Sequence, residues 1–171
     1  SATNAKREEA GLVPLQYNSE LSQAAVQKAK DMFAKNYWAH FAPDGKSPWG
    51  FISSSGYKYA IAGENLAKNF STSSAVIDAW MASTTHRDNV LKPQYRDIGF
   101  AVVNGVLDGE ETTLIVQMFG ATQGEISQAA PVPSKPAAVP VSAASVSQVT
   151  VGQLGAAVIK PMIDASVLTR A

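Results

Sequence analysis

The 171-residue chain contains no cysteine. Disulfides and thiolate-held zinc or iron–sulfur centres are therefore excluded, and any metal must rest on His, carboxylate, carbonyl or water. The absence does not fix a compartment, because exported proteins that rely on core packing also lack disulfides. An excess of one charge is missing too: 14 Lys and Arg balance 14 Asp and Glu. Without a basic excess there is no electrostatic footprint for nucleic acid, and there is no polybasic run for an anionic membrane. No apolar run approaches the roughly 20 residues that span a bilayer. A glycine-rich phosphate loop, a Gly-x-Ser-x-Gly elbow and a His-Glu-x-x-His helix are also absent, which removes the common enzyme signatures. The opening "SATNAKREEAGL" reads as the middle of a helix rather than a natural beginning, so these residues say nothing for or against an export signal.

Aromatic residues are confined to one part of the chain. All three Trp, five Tyr and six Phe precede residue 124, as do both histidines. After it comes "GEISQAAPVPSKPAAVPVSAASVSQ", which offers too little apolar surface to offset the entropy of ordering it. The expected organisation is a domain over 1–124, a Pro/Ala/Ser/Val-rich linker over 125–149 and a C-terminal segment over 150–171. In that last segment Thr150 is placed to cap a short helix stopped at Pro161, and the segment is expected either to dock on the domain or to lead into an anchor or a further domain.

Within the domain, residues 4–10 suggest a short helix ending at Gly11. The longest helix is expected after a cap at Asn18 or Ser19, with Leu21, Ala25, Ala29 and Met32 at helical spacing. Ser47 followed by Pro48 opens another, and "SSAVIDAWMAS" and "THRDNVL" supply two more. The period then changes. Ile98, Phe100 and Val102 alternate, as do Leu114, Val116 and Met118, with Asn104-Gly105 and Asp108-Gly109 between them, which predicts a β-hairpin. Helices first and a hairpin last predict an α+β domain.

Three polar groups stand out. His40 sits between Trp38 and Phe41, Glu64 lies in the small-residue run "AIAGENLAKNF", and His86 is in "STTHRDN". Two imidazoles and a carboxylate can hold a divalent cation or act as an acid/base set. Each residue also has a plainer reading: a packed histidine, a turn carboxylate, an ordinary helix-start residue. Arg87, Asp88 and Asn89 read most simply as a solvated turn. Residue patterns alone leave these alternatives open.

The same segments, in this order, resemble the CAP superfamily of cysteine-rich secretory, antigen-5 and pathogenesis-related-1 proteins (SCP-like domains), in its cysteine-free bacterial branch. The likeness rests on "GLVPLQYNSEL", "AHFAPDGKSPWGFISSSGY", "AGENLA", "AVIDAWMASTTHRDNVL", "YRDIGFAV" and "VQMFG", and covers residues 3–120. It implies a three-layer α-β-α sandwich with a small, mainly antiparallel sheet and a cleft across one face. By motif, His40, Glu64 and His86 match three members of the family's His/Glu tetrad, which can bind a divalent metal such as zinc. Ser83 stands where the second Glu usually lies, three residues after the helix tryptophan. Asn65, Ser83 and Arg87 are placed in the cleft by the same resemblance. The implied function is a secreted or cell-surface binding module, monomeric, whose cleft takes a lipid, glycan or peptide. The alternative is a metal-dependent hydrolase of peptide or cell-wall bonds, with Glu64 and His86 as catalytic candidates.

Overall fold

A computed structural model describes residues 1–128 and the backbone of 158–160. The elements run α1 (Ala2–Glu9), β1 (Gln16–Tyr17), α2 (Ser19–Ala34), α3 (Pro48–Ser54), β2 (Ile61–Lys68), α4 (Ser73–Ala82), α5 (Thr84–Val90), β3 (Asp97–Leu107), β4 (Glu110–Ala121), α6 (Gln123–Gln128) and β5 (Val158–Lys160). The sheet order is β1-β3-β4-β2-β5. All pairings are antiparallel except β1 with β3. Helices α2 and α3 cover one face, while α1, α4 and α5 pack on the other. The three-layer α-β-α sandwich is therefore formed.

Helix starts follow the local chemistry. The Asn18 side chain accepts from the Leu21 N–H at 3.0 Å, and Ser47 accepts from the Gly50 N–H at 3.2 Å with Pro48 inside the first turn. Each cap satisfies an N–H that the helix cannot. The hairpin turn falls at Asp108-Gly109, with φ of 53° and 80°, the left-handed pair that a two-residue hairpin loop requires. Asn104-Gly105 lies inside β3, paired with Thr113 and Thr112.

The bulky alternating set of β3 faces away from α2. Phe100 and Val102 are exposed, whereas Gly99, Ala101 and Gly105 lie under α2. A Cβ on Gly105 would stand 2.9 Å from the Phe33 ring. At Gly99 and Gly105 the helix lies too close to the strand for a side chain to fit between them.

Helix α6 spans Gln123–Gln128, and one expectation for the C-terminal part is corrected. Val158 belongs to a strand, not a helix. Its neighbour Ile159 is also β-branched, and an open sheet edge gives both a partner. The other residues of the expected C-terminal helix lie outside the described residues.

Three of the five tyrosines are set into the fold. Tyr57 donates to Asp97 at 2.6 Å, Tyr95 stacks on Phe119 with centroids 5.2 Å apart, and Tyr37 donates to Asp31 at 2.7 Å. Burial raises all three phenols above their ordinary value, and the carboxylates of Asp97 and Asp31 add to the effect on Tyr57 and Tyr37. A phenol raised in the folded chain keeps its proton there while the unfolded chain loses its own above about pH 10. Its contribution to stability is complete below that pH and is lost as the pH rises further. For the two most enclosed, Tyr57 and Tyr95, the slope is up to about 1.4 kcal/mol per pH unit each. We expect their phenolate absorbance to appear together with loss of circular dichroism; ionisation of all five tyrosines in a folded chain would contradict this.

Candidate functional site

The residues of "AGENLA" do three different things because β2 turns successive side chains to opposite faces. Gly63 makes room: a Cβ there would overlap the Tyr95 hydroxyl and meet Asn89 Oδ1 at 3.0 Å. Glu64 points to the α2–α3 face, in register with Met118. Asn65 points to the α5 face, in register with Gln117.

On the first face, His40 Nδ1 lies 2.5 Å from Glu64 Oε1. The carboxylate is fully buried and the imidazole nearly so. An ionised carboxylate can only accept, so Nδ1 carries the shared proton and Nε2 is left as the ring's other functional atom. Neither His40 Nε2 nor Glu64 Oε2 has a hydrogen-bond partner, although both are buried.

The loop that carries His40 is held by a residue that sequence reasoning missed. Lys28 lies on the apolar side of α2, one turn after Ala24, and is 0% exposed. Its ammonium donates to the carbonyls of His40 at 2.6 Å and Ala39 at 2.8 Å, and to the Tyr37 hydroxyl at 3.1 Å. All three of its protons are used. Burial pushes this amine below its ordinary value, opposed by the carboxylates of Glu64 and Asp31. The available signal was a lysine at core spacing in a helix whose neighbours on that face are Leu21, Ala24, Ala25 and Met32.

On the other face, His86 is buried in α5 and stacks on Trp80, with centroids 6.5 Å apart and planes 17° apart. Its Nδ1 is 2.8 Å from Ser83 Oγ. Ser83 occupies the N-cap position of α5 but gives its side chain to the imidazole instead of a backbone N–H. Of the expected catalytic and metal candidates, His40 and Glu64 are brought together, and His86 Nδ1 lies against Ser83. Arg87 is half-buried on α5.

Asn89 is not part of a solvated turn. It is 8% exposed and donates to the Glu64 carbonyl at 3.2 Å and to Asn65 Oδ1 at 3.0 Å. Asn65 donates in turn to the His86 carbonyl at 3.3 Å and to Gln117 at 3.4 Å, and Gln117 donates to Thr3 at 2.9 Å. A chain of buried amides thus ties β2, α5, β4 and α1 together, each one satisfied by the next. Arg7 adds a second tie, donating to the Val90 and Lys92 carbonyls at 2.9 Å each. The spacing from His86 to Asn89 puts both on the inner side of a seven-residue helix.

Among the described residues, no group of three His, Asp or Glu side chains is placed to hold a metal ion. His40 Nε2 and Glu64 Oε2 are open donor atoms, but two do not make the three protein ligands of a usual catalytic zinc centre. A separate cavity of about 490 Å³ lies on the opposite face of the sheet, walled by Phe70, Val76, Trp80, Phe100, Val102 and Ile115 among others.

The chain is similar in sequence or in fold to several other proteins. The chain is 45% identical to YkwD of Bacillus subtilis over 101 residues, covering 59% of this chain and 39% of that protein. An extracellular protein containing an SCP domain from Bacillus anthracis superposes with a TM-score of 0.59 at 28% identity, over 69% of this chain and 37% of that one. An outer surface protein of Borrelia burgdorferi shares the fold with a TM-score of 0.61 at 19% identity, over 71% and 87% of the two chains. The chain thus spans about two fifths of the length of the two Bacillus proteins. Among the described residues no helix is long and apolar enough to cross a membrane. The profile of the cysteine-rich secretory protein family matches residues 1–119, which include every residue of the His40–Glu64 pair, its Lys28 clamp and the amide chain behind it, and on these grounds this cysteine-free chain belongs to the CAP family.

Proposed function

We propose that the chain is an extracellular or surface-displayed binding module whose cleft recognises its ligand through His40 and Glu64. One observation carries this reading: the two buried polar atoms at that pair, His40 Nε2 and Glu64 Oε2, have no partner. Leaving a buried polar group unpaired costs about 1–3 kcal/mol, and a ligand that donates to both recovers that cost. Where a neutral imidazole donates Nδ1–H to the carboxylate, both open atoms are acceptors. The favoured ligand therefore presents hydrogen-bond donors, as the hydroxyls of a glycan or the amides of a peptide do. A lipid chain has none and suits the apolar cavity on the other face better.

The second reading, hydrolysis of peptide or cell-wall bonds, draws on the same geometry. A carboxylate that holds Nδ1–H leaves Nε2 to take a proton from an attacking water. The three-ligand metal version has less support, because the ligand set is not grouped among the described residues.

The test follows the His40 ring nitrogens by NMR while muropeptides, chitooligosaccharides or zinc are added to the wild type and to Glu64→Gln. A donor-rich titrant is expected to shift Nε2, with affinity about tenfold weaker in the variant for the loss of one charge-assisted bond. Cleaved product would favour the hydrolase. One-to-one zinc binding that is lost in His86→Ala would restore the metal reading. No response to any titrant would leave the pair as a structural contact.

A further inference from the structure

The phase of the β2–β4 ladder decides which backbone groups of β2 remain available. Asn69 N–H donates to the Thr113 carbonyl at 2.9 Å. Opposed residues of an antiparallel pair alternate between bonded and non-bonded, so Ala67 and Asn65, opposite Ile115 and Gln117, also bond to β4. The intervening residues Glu64, Leu66 and Lys68 then direct their N–H and C=O groups away from β4. Two side-chain bonds agree with this phase: Trp80 Nε1 donates to the Leu66 carbonyl at 3.3 Å and Asn89 to the Glu64 carbonyl at 3.2 Å. Their N–H groups form a row along the outer edge of β2, beginning at the residue that carries the His40 contact.

An edge of this kind is a template for another strand. Residues 62–67 of β2 are all buried, and the one charged side chain among them, Glu64, turns to the α2–α3 face, where it meets His40. Strand β5 lies along it, antiparallel, with Lys160 opposite Leu66 and Val158 opposite Lys68. Those are the two outward-facing residues, as the phase requires. β5 is three residues long and β2 eight, so the stretch at Glu64 lies beyond the end of β5.

We infer that the outer edge of β2 is an acceptor site for an extended peptide strand, held in the resting chain by its own Val158–Lys160. This deepens the binding reading by naming a peptide backbone as the occupant next to His40 and Glu64. Covalent attachment raises the local concentration of such a strand to the order of millimolar, so three residues can hold an edge that a free tripeptide would not. A longer peptide entering from outside would pair with Leu66 and Lys68 and go on to the N–H of Glu64, displacing the tethered strand. Main-chain bonds would supply the affinity, and the His40–Glu64 pair would read the residue that arrives beside it.

The experiment is residue-resolved amide exchange on the full chain, wild type against Val158→Pro/Lys160→Pro, which removes both N–H groups that face β2. In the wild type the Leu66 and Lys68 amides are expected to be protected. In the variant they lose protection by at least about tenfold, while Asn65 and Ala67, bonded to β4, keep theirs and report an intact fold. A synthetic peptide spanning residues 151–162, added to the variant, restores protection at Leu66 and Lys68 and extends it to Glu64. The same peptide with both prolines does not. Equal exchange of Leu66 and Lys68 in wild type and variant would overturn the proposal, as would failure of the added peptide to protect them at millimolar concentration. Neither readout depends on the His40 side chain, so the ligand reading can fail with this one intact.

Discussion

Gly99→Ala is expected to lower the melting temperature by at least about 10 °C, the largest effect of any single methyl group in the domain. The added Cβ would overlap the backbone at Leu21 and Ser22 and lie 2.6 Å from Leu21 Cβ. These atoms belong to the first turn of α2, and Leu21 is fully buried. A flexible side chain could swing away, but a helix backbone moves only by shifting the whole core face of Leu21, Ala24, Ala25 and Met32 against the sheet. Overpacking usually costs about 1–3 kcal/mol, and rigid backbone as the obstacle puts this case at or above the top of that range. Gly124→Ala is the control: nothing lies within 4 Å of its added Cβ, and no change is expected. A thermal melt of both variants decides the matter. A Gly99→Ala chain as stable as the wild type would mean that α2 does not lie against β3 as described.

The second large effect is expected at Lys28. Lys28→Met keeps the length of the side chain and removes the buried charge, which by itself would be favourable. It also leaves the carbonyls of Ala39 and His40 without the donor that holds them at 2.8 and 2.6 Å. Two unpaired buried carbonyls, at about 1–3 kcal/mol each, outweigh the relief of the ammonium, and a net loss of about 2–4 kcal/mol is expected. The functional consequence separates this residue from an ordinary core position. Since Lys28 holds the backbone of His40, the variant should lose ligand-induced shifts at the His40 ring under conditions where it is still folded. A variant that is destabilised but responds normally at His40 would reduce Lys28 to a packing role.

The parts of this fold that were legible in the sequence are those decided within a few residues. The Asn18 and Ser47 caps, Pro48 in the first turn and the Asp108-Gly109 turn are local choices of backbone conformation, and each is formed where the pattern places it. Strand β2 was illegible for the opposite reason. It is buried on both faces, so it shows no alternation of polar and apolar residues, and its glycine and carboxylate suggest a turn. The same holds for Lys28 and Asn89, whose polarity argues for the surface until their partners from other segments are known. The site divides in the same way. His40 and Glu64 are 24 residues apart in sequence, and only a resemblance could pair them in advance. The bond between His86 and Ser83 spans three residues, yet reading Ser83 as a missing carboxylate obscured the use the chain makes of its hydroxyl.

Strand β1 has a consequence for the order in which the molecule assembles. Its two residues, Gln16 and Tyr17, pair with Asp97 and Ile98, so this contact forms only after nearly the whole domain has been gathered between them. The β3–β4 hairpin needs only the two-residue turn between Leu107 and Glu110, and β2 then has to find β4 across an intervening pair of helices. Closing distant segments is what slows folding. The hairpin is therefore the natural nucleus, and α1 with β1 is the last piece to dock. Substitutions at the hairpin turn should slow refolding, whereas loss of the Arg7 bonds to Val90 and Lys92 should chiefly speed unfolding.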